Sequence, residues 1–227
     1  MVEIDLAGHT ALVTGSSGGI GAAIALRLAE AGAAVVVHYR RDAAGAERIC
    51  AQISRSGGCA HLARADLTEP AQVASLFDGS APYGPIDVLV NNAGIYPSAP
   101  ALEMTSSDWA SVVRANTDTV FTCSREAALA MREHGSGSII NIASLSALRP
   151  AMNQSHYNSS KAAVISLTQS LAVELAPHAI RVNAVSPGLI ERPGIQPAAD
   201  PIGPVFVCQW RDHVPMPAAG RLRQCAP

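Results

Sequence analysis

Short β-branched runs alternate with longer amphipathic stretches along most of the chain. TALVT at 10–14, AVVVH at 34–38, residues 59–65, IDVLVN at 86–91, residues 137–142 and IRVNAV at 180–185 read as strands. Between them the spacing of apolar residues predicts helices over 19–31, 42–55, 69–78, 106–133 and 155–175. In the first helix Ile20, Ile24 and Leu28 recur every four residues and are expected to line its buried stripe. This alternation implies an α/β fold, a parallel sheet with helices on both faces. Right-handed crossovers then make the sheet doubly wound. A single domain of six strands is expected over residues 1–190. Beyond residue 187 the stretch PGLIERPGIQPAADPIGP is rich in proline and glycine. It reads as a loop, so 191–227 is expected to be an irregular C-terminal segment.

Composition narrows the class. The 227 residues, 48% apolar and 15% charged, suffice for one globular core. The net charge of −2 comes with no basic block, which argues against a nucleic-acid partner. No apolar run reaches the roughly 18 residues that span a bilayer. The opening MVEIDLAGHTALVTG enters a strand-like run at once and leaves no room for a signal peptide, so a cytoplasmic location is expected. The five cysteines are scattered with no C-x-x-C, and the seven histidines show no H-x-x-x-H pair. A reducing compartment and no metal site are therefore expected.

Two stretches carry candidate chemistry. TGSSGGIG, Thr14 to Gly21, lies between the first strand and the first helix. Gly15, Gly19 and Gly21 permit a tight turn and close backbone approach, and the helix after them offers free N–H groups to a pyrophosphate. The domain thus reads as a dinucleotide-binding, Rossmann-type domain, although the spacing is G-x-x-x-G-x-G and not G-x-G-x-x-G. SHYNSSK, residues 155 to 161, sets Tyr157 and Lys161 four apart on a helix. Spacing alone is equally served by an exposed surface pair.

The glycine spacing resembles that of the short-chain dehydrogenase/reductases, and the resemblance runs from about residue 6 to residue 192. The motifs fall in the family's order: TGSSGGIG, DL at 66–67, NNAG at 91–94, Asn116, Ser144, YNSSK at 157–161 and PG at 187–188. It implies an NAD(P)(H)-dependent oxidoreductase that moves a hydride between a nicotinamide and a carbonyl or secondary alcohol, with a 3-oxoacyl reductase as the family-level model. In that reading Tyr157 is the catalytic acid/base. Lys161, one helical turn away, favours the phenolate, lowers the tyrosine pKa toward neutrality and hydrogen-bonds the nicotinamide ribose. Ser144 holds the substrate oxygen, with Ser146 as its competitor. Asn116 kinks its helix and holds a water in a proton relay to Lys161. His156 is expected at the pocket wall or on the surface.

The resemblance also assigns the cofactor contacts. Gly15, Ser17, Gly19, Ile20 and Gly21 supply the glycine loop, and Asp66 accepts from the adenine amino group with Leu67 near the ring. Asn92 contacts the cofactor while Asn91 is structural. Pro187, Gly188 and Ile190 cover the nicotinamide beside Tyr157 and Lys161. Arg192 stands where the family usually has a threonine. NAD-dependent members carry an acid at the end of the second strand, but here the stretch reads VVVHYRRD, with Tyr39 at that place. Adjacent Arg40 and Arg41 suit a 2′-phosphate, so NADP(H) is expected over NAD(H). The alternative is two exposed arginines opening a helix.

The family continues with a substrate-covering helix pair, a seventh strand and a short tail. This chain ends PMPAAGRLRQCAP, and the last strand and its preceding helix are expected to be missing. Six strands, a homodimer through helices 106–133 and 155–175 (a tetramer being the alternative) and a mobile segment after residue 190 follow. Val205, Phe206, Val207 and Trp210 could fold back over the outer edge of 180–185. A second function is kept: a cofactor-binding but catalytically impaired homologue with a sensing or interaction role. For an active enzyme the partner is a small carbonyl or alcohol, with specificity residues in 96–104, 146–155 and after 188. A sugar-nucleotide epimerase suits the glycine spacing and the short chain less well.

Overall fold

A computed structural model of the protein describes residues 4–190. Six strands form one parallel sheet: β1 (Thr10–Val13), β2 (Ala34–Tyr39), β3 (Ala60–Arg64), β4 (Ile86–Asn91), β5 (Gly137–Ile142) and β6 (Ile180–Val185). Their spatial order is β3-β2-β1-β4-β5-β6, so the chain reverses direction across the sheet between β1 and β4. That switch point is where a doubly wound sheet opens a crevice at its C-terminal edge. The expected strands are all present, with ends close to those read from the pattern.

The helices are α1 (Gly19–Glu30), α2 (Ala43–Arg55), α3 (Pro70–Ser80), α4 (Ser106–Val113), α5 (Thr119–His134) and α6 (Ser155–Leu175). Alternate strand residues feed two cores, as the period of a strand requires. Leu12, Val36, Leu89 and Ile139 pack with Leu76, Cys123, Met131 and Leu171 on one face. Ala11, Val13, Val35 and Val37 pack with Ala25, Ala46 and Ile53 on the other. Strands covered on both faces read as nearly continuous apolar runs, and the stretch Val35–His38 in β2 is buried throughout.

Two expectations change. The fully buried face of α1 consists of Gly21, Ala22 and Ala25, while Ile24 and Leu28 pack at its margin and Ile20 is half-buried. The cause is close approach: a Cβ on Gly21 would lie 2.4 Å from Asn92 Nδ2 and 2.5 Å from the Gly15 carbonyl oxygen. The single helix expected over 106–133 is α4 and α5 joined by a π-helical turn at Arg114–Asp118, with Asn116 at its centre. A Thr105–Asp108 capping box starts α4, and Gly135 in the left-handed region ends α5. Expectations for Arg192, for Val205–Val207 and Trp210, and for the 191–227 segment lie outside the described residues. No helix among the described residues is long and apolar enough to cross a membrane.

Candidate active site

The C-terminal ends of the strands, the glycine loop and the first turns of α6 surround a cleft of about 980 Å³. Gly15, Ser17, Gly19, Ile20, Arg40, Asp66, Leu67, Asn92, Ser144, Tyr157, Lys161, Pro187, Gly188 and Ile190 all line it. Gly21 and Asn116 are not part of its wall; each supports residues that are. Gly18 from the glycine motif, Tyr96 from the expected specificity stretch, and His38 and Thr68, which no motif marks, also line the cleft.

The glycine loop is held open by its neighbours. Gly15 has φ 65, and a Cβ there would come within 3.0 Å of Ala93 Cα. The Thr14 hydroxyl oxygen accepts from the N–H groups of Asn92 (2.9 Å) and Ala93 (3.0 Å). Asn92 in turn donates its side-chain amide to the carbonyls of Thr14 (2.9 Å) and Gly15 (3.2 Å). The Asn92 amide nitrogen is thus committed to shaping the loop, and its Oδ1 is the group left for a ligand. Asn91 is structural as expected, donating to Ser124 Oγ and Asn141 Oδ1.

The first turn of α1 fits an anion. Its N-cap, Gly18, brings no side-chain cap and the turn contains no acid, so its leading N–H groups and positive dipole end border the cleft uncompensated. Helix α2 differs: Asp42 accepts from the Gly45 N–H at 2.9 Å. Arg40 and Arg41 also border the cleft, and Arg40 Nη1 lies 3.7 Å from Asp66 Oδ2. The other Asp66 oxygen accepts from the Thr68 hydroxyl (2.7 Å) and N–H (3.1 Å). The Thr68 bond, with Arg40 and Arg41 behind it, holds this carboxyl below the usual range despite the cost of burial. Uncapped amides, two guanidinium groups and one anchored carboxylate thus face the cleft, a donor and acceptor set that fits a dinucleotide.

Ser144, Tyr157 and Lys161 converge in the same cleft. Ser144 follows β5 and caps a short 3-10 turn, its oxygen accepting from the Ser146 N–H at 3.1 Å. Its hydroxyl also hydrogen-bonds the Tyr157 phenol, so the two side chains meet at one point of the cleft. Ser146 is also buried but does not line the cleft, which separates the two candidates. Tyr157 lies in the first turn of α6, half-buried, with Tyr96 edge-on at 6.3 Å between ring centroids. Lys161 is 5% exposed; its Nζ sits 6.0 Å from the Tyr157 ring centroid and donates to the Ile142 carbonyl at 2.7 Å.

The surroundings of Tyr157 act on its pKa, on balance, in the direction opposite to the one expected from Lys161. Burial pushes the phenol up, Ser144 pulls it down through a hydrogen bond, and Tyr96 adds to the rise. Lys161 is itself desolvated, which brings its pKa down to about 8. Burial acts on both groups, and spacing along a helix cannot reveal it.

Asn116 is fully buried. Its Oδ1 accepts from the Ile95 N–H (2.8 Å), and its Nδ2 donates to the Ile95 carbonyl (2.8 Å) and Ser160 Oγ (3.1 Å). The side chain clamps the loop after β4 against the π turn. A Cβ on Gly94 would sit 2.8 Å from Asn116 Oδ1 and 3.8 Å from Lys161 Nζ, so glycine lets this loop pass between them. His156 is neither on the surface nor in the cleft wall: it is fully buried, and its Nδ1 accepts the Tyr157 N–H at 2.9 Å.

The parallel fold, the uncapped anion site at the switch point and the Ser–Tyr–Lys cluster define a nucleotide-dependent oxidoreductase architecture. The family model for short chain dehydrogenases matches residues 9–200, and the chain belongs to that family. It is 43% identical over 192 residues to a short-chain type dehydrogenase/reductase of Picea abies, spanning 81% of this chain and 71% of that one. It is 40% identical over 186 residues to a 3-oxoacyl-[acyl-carrier-protein] reductase of Synechocystis, 82% and 75% of the respective chains. A gluconate 5-dehydrogenase from Burkholderia cenocepacia, solved with NADP and tartrate, superposes with a TM-score of 0.89 at 33% identity, covering 98% of this chain and 87% of that one.

Proposed function

We propose that the protein is an NADP(H)-dependent reductase or dehydrogenase that interconverts a ketone and a secondary alcohol. The observation that carries this reading is the meeting of Ser144, Tyr157 and Lys161 in one cleft with the uncapped start of α1 and with Arg40 and Arg41. The bound dinucleotide supplies or accepts the hydride. Ser144, its oxygen already oriented by Ser146, donates to the substrate oxygen as negative charge grows on it. Tyr157 gives that oxygen its phenolic proton in reduction and takes it back in oxidation. The resulting phenolate lies near the Lys161 ammonium, which is fixed to Ile142 and so keeps its position through the cycle. The phenolate recovers its proton from the Lys161 ammonium, and a water beside Asn116, which holds the Gly94–Ile95 turn, would resupply Lys161 from solvent.

Preference for NADP(H) rests on Arg40 and Arg41 and on Tyr39 where an acid would otherwise bind the ribose hydroxyl. Arg40 pairs with Asp66 through an exposed contact, weak enough to be redirected to a 2′-phosphate. The NADP in the Burkholderia cenocepacia enzyme is in line with this. The substrate class follows the Synechocystis relative, a 3-oxoacyl thioester. Residues 1–190 form the catalytic domain, working in the cytoplasm as a homodimer.

NADPH oxidation followed against 3-oxoacyl thioesters, cyclic ketones and keto-sugar acids, with NADH in parallel, tests the reading. Turnover with NADPH on a 3-oxo substrate is expected. Tight NADPH binding with no turnover on any ketone would favour the sensing homologue instead.

A further inference from the structure

The imidazole of His38, 2% exposed near the end of β2, joins two loops that border the cleft. Its Nδ1 lies 2.9 Å from the Gly15 nitrogen, and its Nε2 lies 3.1 Å from the Ala65 carbonyl oxygen. A backbone N–H can only donate and a carbonyl can only accept. The two contacts therefore fix the tautomer: a lone pair on Nδ1 and the proton on Nε2. The backbone of the same residue is tied to the loop as well. The His38 N–H donates to Ser16 Oγ at 3.0 Å, and the His38 carbonyl accepts from the Ser16 N–H at 2.9 Å.

Only the neutral ring satisfies both loops. A protonated ring carries N–H groups on both nitrogens, so an Nδ1–H would face the Gly15 N–H and that bond would be lost. Gly15 opens the glycine turn, and Ala65 immediately precedes Asp66. These are the segments to which the proposed cofactor contacts belong.

We propose that His38 is a positioning residue for the dinucleotide: its neutral ring clamps the glycine turn to the loop after β3, and protonation releases the clamp and weakens binding. The inference rests on reading the cleft as the NADP(H) site. Burial brings the His38 pKa down to about 4, against the opposing pull of the Ala65 bond and of Asp66. Asp66 is the acid that acts on the ring, and it is paired with Arg40. The glycine-loop groups that bond it, Gly15 and Ser16, contribute an amide and a hydroxyl and no charge. The clamp is thus closed at neutral pH and opens as pH falls toward 4.

The test compares NADP⁺ binding by calorimetry in the parent, H38N and H38L between about pH 7 and pH 4.5. Asparagine keeps an acceptor for Gly15 and does not titrate, whereas leucine offers none. At neutral pH H38N should bind within about threefold of the parent and H38L about tenfold more weakly, the size expected when a buried N–H loses its acceptor. As pH falls, the parent should lose affinity more steeply than H38N. The ligand's own phosphate, with a pKa of about 6, titrates against both proteins, so the difference between them reports His38. In the ligand-free protein the Gly15 amide and the His38 ring should titrate with one midpoint by NMR. Parallel binding curves for parent and H38N, H38L binding like the parent, or a Gly15 amide indifferent to the His38 midpoint would each overturn the clamp. A parent protein that binds neither NADP⁺ nor NAD⁺ at neutral pH would overturn the reading of the cleft itself, and the clamp's role with it.

Discussion

Lys161 Nζ donates to the main-chain carbonyl of Ile142, the last residue of β5, at 2.7 Å. The bond crosses from helix α6 to the sheet and holds a desolvated ammonium in place. Burial lowers the Lys161 pKa from 10.5 to about 8. The folded state therefore binds this proton less tightly than the unfolded chain does, and the penalty is fully present below pH 8 and gone above 10.5. K161M removes it. The stability of K161M relative to the parent should rise as pH falls from 10.5 to 8, by up to about 1.4 kcal/mol for each pH unit. Melting curves across that range would show it, and a constant difference would mean that Lys161 carries no such penalty.

Tyr157→Phe keeps the ring and its packing against Tyr96 but removes the proton. Turnover should fall by roughly 10²–10⁴-fold, the usual weight of a general acid or base, while NADPH affinity changes little. Because burial raises the Tyr157 pKa in the free protein, its phenol should stay protonated past pH 10 without cofactor. Ultraviolet difference titration of parent against Y157F measures this directly. A Tyr157 that ionises near neutrality in the free protein would show that Lys161 outweighs burial.

Arg40→Ala should weaken NADPH binding by roughly 10- to 100-fold, corresponding to the loss of a charge-assisted contact of about 1.5–3 kcal/mol, and leave NADH nearly unaffected. Because Arg40 also pairs with Asp66, a small common loss for both cofactors is expected. Fluorescence titration of the two cofactors separates these effects, and equal losses would assign Arg40 to Asp66 alone.

The strands and the Ser144–Tyr157–Lys161 cluster are legible in the residues themselves. Runs such as AVVVH and IRVNAV announce themselves by residue type, and the ordered motifs point to Ser144, Tyr157 and Lys161, which meet in one cleft. What the pattern hides depends on distance. The buried face of α1 is Gly21, Ala22 and Ala25 because that helix touches the Gly15 carbonyl, which no spacing of isoleucines reveals. The π turn at Asn116 is a change of hydrogen-bond register that leaves the polarity pattern of 106–133 intact. His38 does leave a signal: a histidine after three valines in a strand covered on both faces has to find partners for both ring nitrogens.

Assembly can be tested with one substitution. Trp109 on α4, Phe121 on α5 and Val173 on α6 are 42%, 49% and 77% exposed, apolar surface on the helices through which a homodimer is expected. A stable interface buries about 1,200–2,000 Å², and its central aromatic residues contribute most of the affinity, at about 2 kcal/mol or more each. Phe121→Glu would bring an unpaired carboxylate into that interface twice, once from each subunit. Light scattering should show the parent as a dimer and F121E as a monomer at micromolar concentration. Leu62→Glu, an equally drastic change at an exposed site on β3 at the far edge of the sheet, should remain dimeric. A dimeric F121E would move the interface elsewhere. Because Ser144, Tyr157, Lys161, Arg40 and the glycine loop line a cleft within one chain, monomeric F121E should still bind NADP⁺; loss of that binding would mean that the partner subunit holds the cleft in shape.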